Sequence, residues 1–498
     1  MTRLDSTLGR TTMYRLVLVL LLGLTAYAFV LSALGLLAFA PAELGATLAT
    51  AVVTSWGGTR VMALTLRARP HTESSFITGL LLFFVMFPSD EAGGLAAVAV
   101  AGLLAAASKY VVAVRGRHVF NPAAFGAAAV TLLGLGAAAW WAANPAMVPV
   151  VLACTLLILY RTRKLLMGAV FLVLAAGILV VRTMAGGTDA TVALQLVLVS
   201  YPVLFLLGFM LTEPLTLPPR RWQQLLVAAV VAVVLALQIT IPPVFLGPEF
   251  ALLAGNAVAF AMGQRRGIRL RFAGARQLTP TSAEVRFVPE APVRFRPGQY
   301  MELTLPHPRP DRRGVRRIFS ISSAPGDGAV SFGLRLSSPP SSFKSALLNL
   351  PPGASVRATS VAGDFVLPAD PSVPLLLIAG GIGVTPFLSH VRSMEREDRK
   401  RDVVVVYIVS RPAEVGYVEE LSESRVILFC PGDPAALPAG WIRGGTGFPT
   451  AEDLRSLIPD LQRRRVYVSG SPAMLARVKP VIREAGGKSV RTDAFLGY

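Results

Sequence analysis

Up to about residue 265 the chain is built from long, nearly unbroken apolar runs, and beyond it the pattern changes to alternating and short buried stretches. A membrane-crossing helix needs roughly 20 apolar residues. The runs near residues 14–39, 44–66, 75–88, 91–114, 121–140, 145–160, 163–182, 190–211, 222–241 and 248–263 predict ten such helices, several of them short. The first run, Tyr14 to Ala40, is too long for a signal-peptide core and lacks a cleavage site, so it reads as the first membrane helix. From Gly267 the text alternates, as in Arg294-Phe295-Arg296-Pro297-Gly298-Gln299-Tyr300-Met301-Glu302-Leu303, which predicts an antiparallel β-barrel. Residues 374–498 then alternate strand and helix. The expected fold is multidomain: an all-α polytopic membrane domain over 1–266, a barrel over 267–372 and an α/β nucleotide-binding domain over 373–498.

Composition agrees with a chain partly in lipid, since 53% of residues are hydrophobic and only 15% charged. The net charge of +19 does not point to nucleic acid, because the basic residues sit between apolar runs and are not interleaved with aromatics on one face. They fall at every second connection: Arg3, Arg10 and Arg15; Arg67 and Arg69; Lys109, Arg115 and Arg117; Arg161, Arg163 and Lys164; Arg220 and Arg221; Arg265, Arg266, Arg269 and Arg271. The positive-inside rule then places both termini in the cytoplasm of a multi-pass protein of the cell's inner (plasma) membrane, in contact with lipid. Two cysteines, Cys154 and Cys430, cannot build a disulfide framework or an iron–sulfur site. No metal site is expected.

Two runs are broken by similar small and polar groups, Thr78-Gly79 in the third and Thr212-Glu213-Pro214 in the eighth. The fifth opens with Asn121-Pro122-Ala123 and the tenth contains Asn256-Ala257-Val258. Matched interruptions suggest a five-plus-five inverted repeat with a site between the halves, although the same residues also serve to kink or pack membrane helices. Ser75-Phe76-Ile77-Thr78-Gly79-Leu80-Leu81, Val119-Phe120-Asn121-Pro122-Ala123 and Thr212-Glu213-Pro214-Leu215-Thr216 resemble the membrane flavin subunits of the sodium-translocating NADH:quinone reductase and the Rnf complex, the NqrB/RnfD family. The resemblance, over 14–263, implies FMN or riboflavin in the membrane domain, with Thr78, Asn121, Thr191 and Thr212 as candidate contacts. Its FMN-bearing Ser-Gly-Ala-Thr sequence is nearest to Thr188-Asp189-Ala190-Thr191 here, two matches in four. A covalent flavin on Thr191 and a non-covalent one both stay open.

In the second half, the strand Leu375 to Ala379 runs into Gly380-Gly381-Ile382-Gly383-Val384-Thr385-Pro386 and a helix. Glycines there let backbone approach a pyrophosphate, and the helix start favours its charge; tight packing alone also calls for glycine. Arg317-Ile318-Phe319-Ser320 places a cation and a ring on one face of a strand with a hydroxyl beside them, which suits a flavin phosphate, its ring and its ribityl chain. Ser341-Ser342, before a helix expected from Phe343 to Leu350, offers either a phosphate contact through Ser342 or a cap. Over 267–498 these elements resemble the ferredoxin–NADP reductase superfamily. The resemblance implies FAD held by Arg317, Phe319, Ser320 and Ser342. It implies NAD(P)H held by Gly380, Gly381, Gly383, Thr385, Pro386, Gly470 and Met474, the last two from Ser469-Gly470-Ser471-Pro472-Ala473-Met474. Ser469 stands where many members have a cysteine beside the nicotinamide, and Phe495, in preference to Tyr498, would cover the flavin. Ser410-Arg411 after the second strand suits a 2′-phosphate, a ribose or a helix cap.

The expected activity is that of a membrane-bound NAD(P)H-dependent flavin oxidoreductase. It would pass electrons through FAD to the membrane flavin and on to a quinone or an extracytoplasmic flavoprotein. A haem route would need paired histidines on facing helices, and only His71 and His118 lie in that half, both at loop edges. The alternative is redox-driven transport of Na+ or H+, for which Glu213 is the one candidate carboxylate that the sequence offers.

Overall fold

The computed structural model describes residues 13–66, 72–114, 117–242, 244–263, 267–311, 314–359, 361–397, 401–433 and 437–495. Arg3, Arg10, Arg67, Arg69, His71, Arg115, Arg265, Arg266 and Tyr498 lie outside them. Residues Thr11–Arg266 and Gly267–Tyr498 form separate compact units.

The first unit is helical: α1 (Met13–Ala33), α2 (Pro41–Thr65), α3 (Thr72–Val85), α4 (Ala92–Val111), α5 (Pro122–Leu132), α6 (Val148–Thr162), α7 (Leu165–Ala185), α8 (Ala190–Val199 with Val203–Leu211), α9 (Arg221–Leu237) and α10 (Pro248–Ala261). Among the described residues, α1, α4 and α7 are long and apolar enough to cross a membrane, and the two pieces of α8, bent by 48°, pass the same test together. The others named as apolar, α3, α5, α6, α9 and α10, have 10–17 residues. The expected span 121–140 is cut to 11 residues. Gly134, at φ 68°, turns the chain out of the helix. The break in α8 falls at Ser200–Pro202, where proline lacks a backbone donor, and its second piece ends in a π-helical turn, Leu206–Leu211. The core is made of small residues and rings: Ala101, Ala105, Ala123 and Ala127 at one crossing, Phe83, Phe84, Phe205 and Trp141 at another.

The second unit contains two sheets. β1 (Ile268–Thr279), β2 (Ser282–Pro289), β3 (Tyr300–Thr304), β4 (Arg316–Ser320), β5 (Val330–Arg335) and β6 (Ser355–Ala358) pair antiparallel in the order β4-β3-β6-β1-β2-β5. A bridge between Ile321 and Phe332 joins the two edges and closes the barrel. Alternation fills the inside with Leu270, Val285, Phe287, Met301, Leu303 and Phe332. β7 (Leu375–Gly380), β8 (Val403–Ile408), β9 (Arg425–Phe429), β10 (Trp441–Gly445), β11 (Arg465–Gly470) and β12 (Val490–Ala494) form a parallel sheet in the order β10-β9-β8-β7-β11-β12. Apolar cores lie on both faces, which is why β7 and β8 read as continuous Leu and Val runs. Helices α11 (Ser342–Leu348), α12 (Thr385–Arg396), α13 (Ala451–Leu457) and α14 (Pro472–Glu484) complete the unit.

The crossing of α4 and α5 admits no side chain: a Cβ on Gly126 of α5 would lie 2.3 Å from the Ala101 carbonyl oxygen of α4. Gly126→Val is therefore expected to destabilise the purified protein by about 1–3 kcal/mol, the usual cost of overpacking, read as a lowered thermal midpoint in detergent.

Candidate functional site

The strand order reverses between β7 and β11, and the carboxyl ends of two such strands are where a parallel sheet opens a ligand crevice. β7 leads into a 3₁₀ turn, Gly381–Val384, with Gly381 at φ 53°, and then into α12. The turn lies on the end of β11, so that a Cβ on Gly383 would meet the Ser469 carbonyl oxygen at 2.4 Å and the Gly470 Cα at 2.8 Å. Gly380 and Gly470 approach each other, with Met474 closing one side. Ser469 is fully buried, and its hydroxyl has no hydrogen-bond partner among the described residues. The backbone N–H of Phe495 donates to the Gly470 carbonyl at 2.9 Å, which brings the C-terminal segment to the same place. Five predicted residues, Gly380, Gly383, Ser469, Gly470 and Met474, thus meet around a cradle that only glycine leaves open, and the unpartnered Ser469 hydroxyl fits a nicotinamide nucleotide.

Thr385 also ties the turn to its surroundings. Its hydroxyl donates to the Ile382 carbonyl at 3.0 Å and the residue is buried, its methyl placed where a Cβ on Gly333 of β5 would stand 2.3 Å away. It seats the turn on the barrel. Pro386, also buried, opens α12, where proline is at home.

On the barrel, Arg317 and Phe319 do share a face, but it is the interior one. They pair with Leu303 and Met301, which are fully buried, while Ile318 between them is 45% exposed. Phe319 packs on Phe343 and Phe332 and is not presented as a flat surface. Arg317 lies over the Phe343 ring at 5.2 Å, and its Nη2 donates to Asp311 Oδ1 at 2.9 Å. The Asp311 backbone N–H donates to Ser342 Oγ at 2.9 Å. The two predicted phosphate contacts are therefore brought together with Asp311 between them, and a phosphate would share Arg317 with that carboxylate. Ser341 accepts from the Lys344 N–H and is the helix cap, so the two adjacent serines divide the roles. His307 donates from Nδ1 to the Leu305 carbonyl at 2.8 Å; in the neutral ring Nε2 then accepts from Ser342 Oγ at 3.0 Å. Ser320 sits opposite Tyr300 at the end of β4 beside the seam of the barrel. Arg317 and Ser342 have the chemistry to hold the phosphate of a flavin, and Ser320 offers a hydroxyl on the same strand.

The barrel and the parallel sheet are tied by side chains that carry no sequence signature. Arg392 of α12 donates to the Ser322 carbonyl at 2.9 Å and pairs with Glu284 at 3.3 Å and Glu420 at 3.0 Å. Ser389 Oγ donates to the Ser323 carbonyl at 2.7 Å. Burial raises the Tyr417 hydroxyl well above the ordinary tyrosine range. His390, on the same helix, faces Gly298 of the barrel; burial lowers its pKa to about 3, with Arg401 and Arg296 pushing the same way.

In the helical unit, three of the four singled-out threonines and asparagines are satisfied locally. Thr78 donates to the Ser74 carbonyl, Thr212 to the Gly208 carbonyl, and Thr191, which is exposed, to Asp189. Their hydroxyls serve the helices that carry them. Asn121 is different: it caps α5 through Ala124, donates from Nδ2 to Glu213 Oε2 at 2.9 Å, and its N–H donates to Asn256 Oδ1 at 2.8 Å. His118 Nε2 meets the other Glu213 oxygen at 2.9 Å. Lys164 donates to the Thr212 carbonyl at 2.8 Å. Asn121, Glu213 and Asn256, drawn from three predicted motifs, thus form one buried polar cluster. A second carboxylate, the buried Glu249, which the sequence reading did not single out, accepts from the Trp140 indole at 2.8 Å.

Residues 377–479 match the family described as Oxidoreductase NAD-binding domain. The glycine betaine monooxygenase reductase subunit of Chromohalobacter salexigens is 28% identical over 212 residues, 40% of this chain and 56% of that protein. Ferredoxin–NADP reductase B of Sorangium cellulosum is 29% identical over 216 residues, 43% of this chain and 85% of that one. The C-terminal half carries a ferredoxin reductase-like module. It is similar in sequence to NAD(P)H oxidoreductases and ferredoxin reductases. A cytochrome P450 reductase of Amycolatopsis is similar in structure at 24% identity and a TM-score of 0.40, covering 47% of this chain and 70% of that one. The chain spans about half the length of curated relatives such as the glycine betaine reductase, at 56%.

Two outcomes follow for the reductase module. Folded His390 binds fewer protons than an unfolded histidine between about pH 6.5 and 3, so its contribution to stability is complete above that window and is lost on acidification through it. His390→Asn should make the thermal midpoint fall less steeply between pH 6.5 and 5 than in the parent. Gly383→Val should abolish retention on a nicotinamide-nucleotide affinity resin, because the new side chain meets the Ser469 backbone.

Proposed function

We propose that the chain is a membrane-bound NAD(P)H-oxidising flavoprotein. In this reading it takes electrons from cytoplasmic NAD(P)H through FAD to a flavin in the helical unit, and on to a quinone or an extracytoplasmic acceptor. The observation that carries the reading is the crevice at the β7–β11 reversal, where Gly380, Gly383 and Gly470 leave room for backbone to approach a pyrophosphate and the buried Ser469 hydroxyl has no partner among the described residues. The flavin supplies the chemistry, accepting a hydride and passing on electrons singly. The protein's part is binding and alignment: the turn Gly381–Val384 for the pyrophosphate, Ser469 for the carboxamide edge of the nicotinamide, Arg317 and Ser342 for the flavin phosphate, Ser320 for the ring. Phe495, tethered through its backbone to Gly470, covers the ring side of the crevice until nicotinamide takes its place. No side-chain acid or base is needed to move a hydride.

The helical unit is read as the membrane domain on its three long apolar helices and bent α8, with both termini cytoplasmic from the basic connections. The Asn121–Glu213–Asn256 cluster, of which Asn121 and Glu213 lie in stretches that resemble membrane flavin subunits, supports a cofactor there. The exposed Thr191, bonded to Asp189, is the point of attachment if that flavin is covalent. Outward electron flow is favourable by about 2.3 kcal/mol per 100 mV in a negative-inside cell. One observation favours a second reading, electron-driven transport of H+ or Na+: a half-buried carboxylate, Glu213, and a buried one, Glu249, stand in an apolar unit.

Flavin analysis of the purified chain tests the main reading. Two flavins per chain, one reduced rapidly by NAD(P)H in stopped flow, are expected; a single FAD, or none, overturns the relay. Ser469→Ala should slow flavin reduction by about tenfold, the worth of one neutral hydrogen bond of about 1.4 kcal/mol.

A further inference from the structure

In a nucleotide-binding parallel sheet the adenosine ribose is read beyond the second strand, a carboxylate suiting the 2′-hydroxyl of NADH and a cation the 2′-phosphate of NADPH. Here the second strand is β8, and beyond it come Ser410, Arg411 and a 3₁₀ turn, Pro412–Glu414. The segment stays close to the crevice: a Cβ on Gly333 would meet both Thr385 of the glycine turn, at 2.3 Å, and Tyr417, at 2.7 Å.

Arg411 has the position of a phosphate reader, with its side chain 68% exposed, but it is already compensated. Its Nη2 lies 3.1 Å from Glu414 Oε1. Glu414, in turn, is held from the other side. Its side chain is 13% exposed, and its Oε2 accepts hydrogen bonds from Thr279 Oγ1 at 3.2 Å and from Thr281 Oγ1, both on the barrel. A carboxylate bound by two threonines on a different sheet cannot swing away when a second anion arrives. The neighbouring cation repeats the arrangement. Arg443 of β10 pairs with Asp433 and donates to the Gly432 carbonyl at 2.9 Å, and Gly432 lies against Pro412. Among the described residues, each of the two arginines at this edge therefore has a carboxylate beside it, and a 2′-phosphate placed there meets fixed negative charge as well as positive.

We infer that the ribose end of the crevice selects NADH over NADPH, with Glu414, pinned by Thr279 and Thr281, as the specificity-determining residue. The inference rests on the reading of the chain as an NAD(P)H oxidoreductase and narrows its substrate to the non-phosphorylated dinucleotide.

The test is anaerobic flavin reduction of the full chain by NADH and by NADPH, on the parent and on Glu414→Gln, with the ratio of the two kcat/KM values as the readout. Both nucleotides are measured on the same sample, so loss of folded protein lowers them together and leaves the ratio unaffected. The parent is expected to favour NADH by about tenfold or more, and Glu414→Gln to narrow the ratio by about tenfold through a gain with NADPH, equivalent to about 1.4 kcal/mol. The double variant Thr279→Val, Thr281→Val keeps the carboxylate but frees it, and should shift the ratio the same way by less. A parent that prefers NADPH, or a Glu414→Gln ratio equal to the parent's, overturns the inference while leaving the oxidoreductase reading in place. Reduction by neither nucleotide removes both.

Discussion

The reductase module depends on one close approach, the backbone of the turn after β7 lying on the backbone at the end of β11. A side chain at Gly383 would sit inside the Ser469 carbonyl. At the same place the Ser469 hydroxyl is buried, and the segment carrying Phe495 is tied to Gly470. Thr385 continues the constraint by seating the turn on Gly333 of the barrel. The relation of barrel to sheet is then fixed by Arg392, which spans Glu284, Glu420 and the Ser322 carbonyl. Half-buried charges linked in this way favour one geometry, because each partner removed leaves another charge poorly solvated.

The helical unit solves a different problem with few polar groups. Its threonines mostly return hydrogen bonds to carbonyls one turn back, a satisfied state that needs no ligand. Against that background the His118–Glu213–Asn121–Asn256 network stands apart, since it joins side chains distant in sequence. A buried carboxylate in an apolar unit survives only with such partners. Thr155 shows the same economy, donating to the Leu204 carbonyl just ahead of the π-helical turn.

Much of the module was legible in the sequence because its signals are local. Of the alternating stretch from Arg294 to Leu303 only Tyr300 onward is a barrel strand, the residues before it being loop, whereas the Leu375–Ala379 run announces a doubly covered strand and the glycines at 380, 381 and 383 a tight turn. Facing was harder to judge. Period two correctly put Arg317 and Phe319 on one side, but which side is decided by Leu303 and Met301 on the neighbouring strand. Long-range partners left no trace at all: Asp311 stands between Arg317 and Ser342 because a loop folds over them, and Glu249 meets Trp140 across 109 positions of sequence. Helix lengths were misjudged where apolar residues continue past a break, as beyond Leu132, since hydropathy does not register a left-handed glycine.

The barrel closes at a short seam, the bridge of Ile321 to Phe332 and the Ser322–Ser331 hydrogen bond, immediately after the segment Arg317 to Ser320. A ligand seated on that segment would fasten the cylinder beside this seam, so that occupancy and resistance to unfolding become one thermodynamic quantity. A chain short of its prosthetic group would be expected to fray first along this line, exposing strand edges that seek other partners.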